Sequence, residues 1–522
     1  MTAPHVRSLR ALQALLVAAL ALVIAACGAK SSLVIDDELY DAGPDGGGPD
    51  ADSDVDTDID TDIDTDIDSD TDSDTDSDTD TDPDEDEPPR DILDRLRRIE
   101  GMTVDELPSS FPGARYFQMF FEQPVDHHNP RVGRFTQFLT LIHRDEDAPL
   151  FLVSTGYDNY IGEYEWELTS LFQGNQIIVE HRYFGSSVPE PTDWAYMNIE
   201  QGSWDLHRIV EAFSPIYTGP WVNTGASKGG MTSVYHRRFF PDDVVATVAY
   251  VAPNSLGAPD ERYIPFMDRI GVDWCRERMF DLQVEWLERR EAMVDRVETM
   301  RRDLGLSYEY SGGSDGAFES AVVNFPWTFW QYAGVDACYG APELSGTDGE
   351  LFDFLALYAG FEYYGDEEVL HFLPYQYQAA TELGYPAIRL DRIEHMLRGG
   401  GWSLSDLLPG VPIEYDPSVM QDIAEWVRIE GEELMFIYGQ YDPWTGGAFE
   451  PGDARDSYTF TVPEANHGAA IWMLPWEDQS QAIEILERWI GTSSGWGRGP
   501  LPRPMPQPRF ETQLRLMPPV MR

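Results

Sequence analysis

The segment Gly225-Ala226-Ser227-Lys228-Gly229-Gly230 sits between a short apolar run ending at Thr224 and an amphipathic stretch after Gly230, and it constrains the chain more than any other. It matches G-x-S-x-G in the context that gives the motif meaning, a strand before it and a helix after it. A strand that turns this sharply into a helix lifts the serine out and tolerates only small neighbours. Ser227 then reads as a nucleophile, and the backbone N–H of Lys228 as one donor to a developing oxyanion.

The remaining periodicity agrees with that placement. Apolar, β-branched runs at 135–143, 149–154, 176–181, 221–224 and 245–251 read as strands, with helical patterns at 204–213 and 231–240. Such alternation predicts a mainly parallel sheet. The rhythm breaks after Pro253. From 276 to 431 the chain is rich in helix formers, with a long helical pattern over 275–304, and strands resume at 434–438 and 458–462 before a helix at 479–490. The predicted fold class is α/β, an α/β-hydrolase fold with a largely helical cap between the nucleophile-side and acid-side strands. Its parts are core at 89–255, cap at 256–430, core at 431–495 and a Pro/Arg-rich tail at 496–522.

A nucleophilic serine needs a base, and the base a carboxylate that orients it. In this fold the chain order is Ser, acid, His. Asp442 follows the strand ending at Tyr438, and His467 lies in the loop after the next strand. Of the other nine histidines, His5 falls in the leader, His127 and His128 precede the sheet, His143 and His181 lie at early strand ends, and His207, His236, His371 and His395 fall in helical stretches or the insertion. The second oxyanion donor is expected in the loop after the 149–154 strand, from the N–H of Gly156 or Tyr157. No metal cluster, phosphate loop or dinucleotide fingerprint is evident, so no cofactor is implied.

Charge excludes one class of partner. The net charge is -57, which repels nucleic acid. Of 93 acidic residues, 26 lie between Asp36 and Glu87, leaving 67 against 36 bases. The Asp repeat at 52–82 cannot form a core, so 28–88 reads as a solvated tether. The acidic, lysine-poor remainder fits either a salty habitat or an Arg-biased genome.

Residues 1–27 read as an export leader: Arg7 and Arg10, an apolar stretch, then Ile24-Ala25-Ala26-Cys27-Gly28. That ending resembles a bacterial lipobox, which predicts lipidation at Cys27 and a cell-envelope address, periplasmic or surface-exposed, with the membrane touched only through the anchor. Cys275 and Cys338 are left either as a disulfide pair in an oxidising compartment or as two separate thiols. A bridge would stabilise the fold by ~4 kcal/mol in the chain-entropy model.

Residues 225–232 resemble the nucleophile segment of the secreted bacterial tripeptidyl aminopeptidase family of serine peptidases, as does the aromatic cluster at 325–332. Glu180-His181-Arg182-Tyr183-Phe184-Gly185-Ser186-Ser187, the segment 377–385 and Asp442-Pro443-Trp444 resemble segments shared with the related prolyl carboxypeptidase and lysosomal dipeptidyl peptidase family. The resemblance spans 115–490. It implies a helical cap, peptide substrates cleaved from one end, and Ser227, Asp442 and His467 as catalytic positions; Lys228 favours the tripeptidyl group. Residues 180–187 read as a brace for the elbow.

An aminopeptidase must also hold a free ammonium. Glu382, Glu261, Asp260, Glu163 and Asp158 are candidates, with Glu382 favoured through the resemblance of its segment. Prolyl-carboxypeptidase-like or dipeptidyl peptidase activity, a lipase or esterase on the same fold, and a non-catalytic acidic surface lipoprotein that binds cations or partners are the alternatives.

Overall fold

The computed structural model describes residues 91–159, 162–399 and 403–496. The leader with Cys27, the acidic stretch and the C-terminal tail lie outside them. The described residues belong to the compact unit that begins at Pro89.

Nine strands form one sheet: β1 (Met102–Leu107), β2 (Arg115–Pro124), β3 (Arg134–His143), β4 (Leu150–Ser154), β5 (Asn175–Val179), β6 (Trp221–Ala226), β7 (Ala246–Tyr250), β8 (Leu434–Gly439) and β9 (Tyr458–Val462). Their order is β1-β2-β3-β5-β4-β6-β7-β8-β9. The first three strands join antiparallel, and every pairing from β5 to β9 is parallel.

The sequence reading misses β1 and β2. In consequence His127 and His128, expected to precede the sheet, follow its second strand. Only Met102 and Val104 of β1 are buried, so its inward pattern is short. In β2, buried Gln123 interrupts the apolar signal.

Strands β4 to β8 are buried at every residue, because helices cover both faces of the parallel part. Side chains alternate across the sheet. Phe151 and Val153 pack with Leu168 of α1 (Glu167–Phe172) and, farther along the chain, with Ile483 and Leu486. Leu150 and Leu152 face the other way, onto Leu206 and Ile209 of α2 (Ile199–Phe213). Helix α3 (Lys228–Phe239) follows β6 directly, starting at Lys228 rather than after Gly230.

Between β7 and β8 the described residues are helical or irregular. Helices α4 (Asp273–Glu288), α5 (Arg290–Leu304), α6 (Gly313–Tyr332) and α7 (Asp348–Ala359) build a separate core in which Trp286 packs edge-on against Phe325 at 4.6 Å. The stretch 275–304, rich in helix formers, is helical as two helices that meet at Arg289, which has φ -96° and ψ 23°. Helix α6 is buried on nearly all sides, as its Trp and Phe content demands. Cys275 and Cys338 are joined as a disulfide with Cα atoms 5.7 Å apart, tying the start of α4 to the turn after α6. Helix α8 (Pro417–Ile429) leads back to β8, and α9 (Trp476–Ile490) closes the far face. The architecture is that of an α/β-hydrolase carrying a helical cap.

Candidate active site

Parallel strands end together, so the loops after β4, β6 and β8 emerge at one edge of the sheet. Val153 pairs with Thr224, and Ala226 with Tyr250. The turn after β6 is sharp: Ser227 has φ 55° and ψ -125°, a region non-glycine residues enter at a cost of about 1–3 kcal/mol. Its N–H donates to the Tyr250 carbonyl (2.8 Å), and its own carbonyl accepts from Met231 N–H (2.9 Å), which starts α3. The small residues are a packing requirement. A Cβ on Gly225 would lie 2.5 Å from the Gly229 carbonyl carbon and 2.6 Å from the Ser154 oxygen.

Asp442 follows β8 and is fully buried. One carboxylate oxygen accepts from Trp444 N–H (3.0 Å), and the other is 2.7 Å from Nδ1 of His467. His467 is also fully buried, and its Nε2 has no hydrogen-bond partner. The base loop lies directly on β8: a Cβ on Gly439 would come within 2.2 Å of the Asn466 carbonyl. The cap holds the loop from the other side, with His467 N–H donating to the Gln331 carbonyl (3.2 Å) and Asn466 Nδ2 to the Ala333 carbonyl (3.0 Å).

A small pocket opens at the elbow, lined by Ser227, Lys228, Met231, Tyr157, Pro253, Tyr375 and Trp444. The Trp444 ring is 6.2 Å from that of His467, so one wall of this pocket links it to the Asp442–His467 pair. The sequence reading quotes Trp444 only as part of a motif and does not foresee Met231, Pro253 and Tyr375 as walls. Their signal lies in position: Met231 is one helical turn beyond Ser227, and Trp444 is two residues beyond Asp442.

The two oxyanion candidates in the β4 loop differ. Tyr157 N–H donates to Thr155 Oγ1 (3.2 Å). Gly156, at φ 75°, packs so closely on the elbow that a Cβ would lie 2.5 Å from Gly229 N. The segment 180–187 braces this loop as well as the elbow side of the sheet. His181 N–H donates to the Tyr157 carbonyl (2.9 Å), and Glu180 accepts from Asn159 N–H (3.0 Å) and Ser187 Oγ (2.7 Å). Buried Arg182 binds both oxygens of Asp205 (2.7 and 2.8 Å) and the carbonyls of Pro124, Val125 and Tyr196.

The ammonium candidates are mostly engaged elsewhere. Glu382 accepts from Ile199 N–H at the start of α2 (2.9 Å); burial pushes its carboxyl up to about 7, with that hydrogen bond acting the other way. Asp260 holds Arg262 and the N–H of Leu256. Glu163 holds Ser109 and Ser110. Glu261 is exposed, and buried Asp158 lies 3.4 Å from His371. Among these, Glu382 is the one whose charge acts on Lys228, a wall of the cavity.

The family model described as PS-10 peptidase S37 matches residues 86–500. The chain belongs to that family. This S37 peptidase is similar to the prolyl tri/tetrapeptidyl aminopeptidase of Streptomyces mobaraensis, 38% identical over 413 residues that cover 78% of this chain and 86% of the relative. It is more distantly similar to human lysosomal Pro-X carboxypeptidase, 22% identical over 71% of this chain and 87% of that protein. Among solved structures, a proline iminopeptidase of Mycobacterium smegmatis matches 74% of this chain and 99% of its own at 15% identity and a TM-score of 0.31. This S37 chain is a serine peptidase with the α/β-hydrolase fold.

Proposed function

We propose that this chain is an exported aminopeptidase that releases short peptides, three or four residues long, from free N-termini through Ser227, His467 and Asp442. The observation that carries the reading is the buried Asp442–His467 pair, whose Nε2 has no hydrogen-bond partner and whose ring lies 6.2 Å from that of Trp444, a wall of the pocket that Ser227 lines. Asp442 fixes Nδ1 as the protonated ring nitrogen and leaves Nε2 as the base. Ser227 Oγ attacks the peptide carbonyl as its proton passes to Nε2. The N–H groups of Lys228 and Gly156 hold the oxyanion. Nε2–H then protonates the leaving amine, and water, activated by the same nitrogen, hydrolyses the acyl-enzyme.

The cavity walls support a compact apolar residue at the bond cut. Tyr157, Met231, Pro253, Tyr375 and Trp444 surround the serine with apolar surface suited to a proline ring, and the Streptomyces relative is named for prolyl substrates. The leader and Cys27 support export and lipid anchoring to the cell envelope.

The test is mass analysis of products from peptides ending in proline before the scissile bond, offered with free and with acetylated N-termini. Free peptides should lose tri- or tetrapeptides, and acetylated ones should resist. Equal rates on both, or wild-type turnover by Ser227→Ala, would refute the proposal.

A further inference from the structure

The Lys228 side chain is an anomaly of composition and of burial. The chain carries 36 basic residues, and only Lys30 and Lys228 are lysines. Every other cation in the described region is arginine, so a chain that otherwise uses arginine keeps a lysine next to its nucleophile. Lys228 is 2% exposed. Its Nζ donates to the Gly156 carbonyl at 2.9 Å. It also lies over two aromatic faces, 5.6 Å from the Tyr157 centroid and 5.5 Å from that of Phe184. Those rings are themselves packed edge to face at 5.4 Å.

An ammonium is compact and fits between two rings and a carbonyl. A planar guanidinium needs more room and more acceptors than this slot offers. Burying a charge beside the elbow is costly unless it is held. Burial pulls the Lys228 amine well below the ordinary lysine value, while the charge of Glu382 acts the other way. Among the described residues no ion pair offsets that cost, and the ammonium's hydrogen bond goes to the Gly156 carbonyl, which points to a role in placing Gly156.

We propose that the Lys228 side chain is a positioning residue that pins the Gly156 peptide to the nucleophile elbow, holding the β4 loop where its N–H can meet the oxyanion. The inference rests on the serine-peptidase mechanism above. Lys228 thereby serves the oxyanion site twice. Its backbone N–H is one donor, and its side chain fixes the loop that carries the other. Gly156 is suited to this, because at φ 75° and in contact with Lys228 and Gly229 it has no side chain to hold it in place.

The experiment is Lys228→Met, which keeps the length and apolar stem and removes the ammonium. Turnover is measured per competent serine, counted by titration with a fluorophosphonate. The expected result is a fall in kcat of about 10- to 100-fold, below the 10²–10³ seen on full loss of a donor, with KM and thermal midpoint nearly unchanged. A merely structural lysine would lower the midpoint and leave kcat per competent serine intact; that result overturns the proposal, as does wild-type kcat.

A second measurement needs no variant at the elbow. In protein labelled at lysine 13Cε, with Lys30 assigned through Lys30→Arg, a peptide boronate bound to Ser227 should shift the Lys228 resonance. An unmoved resonance in a boronate-inhibited enzyme overturns the proposal even if Lys228→Met does not fold. Ser227→Ala separates the two readings: if it stays active, the underlying mechanism fails; if it is dead while Lys228→Met is normal, only the pin fails.

Discussion

Glu167 offers a quantitative test of how the base loop is held. It is buried in α1, and its carboxylate accepts from Ile471 N–H (3.0 Å), Trp472 N–H (2.6 Å) and Tyr250 hydroxyl (3.0 Å). Those amides follow His467 by only a few residues. Burial pushes the Glu167 carboxyl from 4.5 to about 7, and the three donors only partly offset it. The folded state therefore binds a proton that the unfolded chain releases near pH 4.5. Stability must fall as pH rises from about 4.5 through about 7, by about 3 kcal/mol from this group at 1.36 kcal/mol per pH unit. Glu167→Gln removes the titration. Its amide cannot accept both backbone N–H groups without turning a donor toward one, so the variant loses about 1–3 kcal/mol at every pH. Urea unfolding at pH 5 and pH 8 should show the variant weaker than wild type at pH 5 and equal or stronger at pH 8. The Glu382 carboxyl, also raised to about 7, adds a slope common to both proteins and cancels from the difference. Two stability curves that run parallel across this range would refute the assignment.

Three further substitutions probe the rest of the site. Asp442→Asn should lower kcat about 10⁴-fold, because the amide stabilises the wrong imidazole tautomer; steady-state kinetics with an unchanged melting curve checks it. Gly156→Ala places a Cβ 2.5 Å from Gly229 N and 2.7 Å from the Lys228 carbonyl carbon, both backbone atoms, at a positive φ. It should cost about 10²–10³ in kcat, read as turnover per titrated serine. Arg182→Met strands Asp205 and three carbonyls in the interior and should destabilise by about 3–5 kcal/mol, measured by thermal melting.

Legibility in the sequence followed how local each signal is. Strands β4 to β8 were readable because strands buried on both faces are unbroken apolar runs. The β1–β2 hairpin was not, since β1 buries two residues and buried Gln123 of β2 is satisfied by Asp205 and Gln137, far along the chain. The break at Arg289 has no Gly or Pro to announce it; Arg289 instead reaches the carbonyls of Leu344 and Gly346. Ser227, Asp442 and His467 were legible as candidates because each follows a strand in a distinctive motif, and the Asp442–His467 contact is the part of that set the geometry brings together. The role of a carboxylate was not, because its partner is set by tertiary structure: Glu382 meets an amide 183 residues away, and Glu163 meets Ser109. Tyr157 was indistinguishable from Gly156 until the Thr155 hydroxyl was seen to take its N–H.

The cap insertion is better understood as part of the support of the proposed base than as a cover over it. His467 and Asn466 hang from the last turn of α6 through the carbonyls of Gln331 and Ala333, and Trp327 of α6 packs edge-on against Trp444 at 5.1 Å. Trp444 in turn donates its backbone N–H to the Asp442 carboxylate and lines the cavity with Ser227. Asp442, the His467 loop and the Trp444 wall are thus all referred to one helix, whereas the elbow and the Gly156 loop are referred to β4, β6 and the 180–187 brace. Catalytic geometry then depends on how these two sets of supports are held together. Ser227, Asp442 and His467 are all at most 4% exposed. The wall residue Tyr375, on the short helix Leu373–Gln378 outside the α4–α7 core, belongs with the second set, since it packs 5.8 Å from Tyr157 of the β4 loop, whereas a displacement of α6 would take the His467 loop with it.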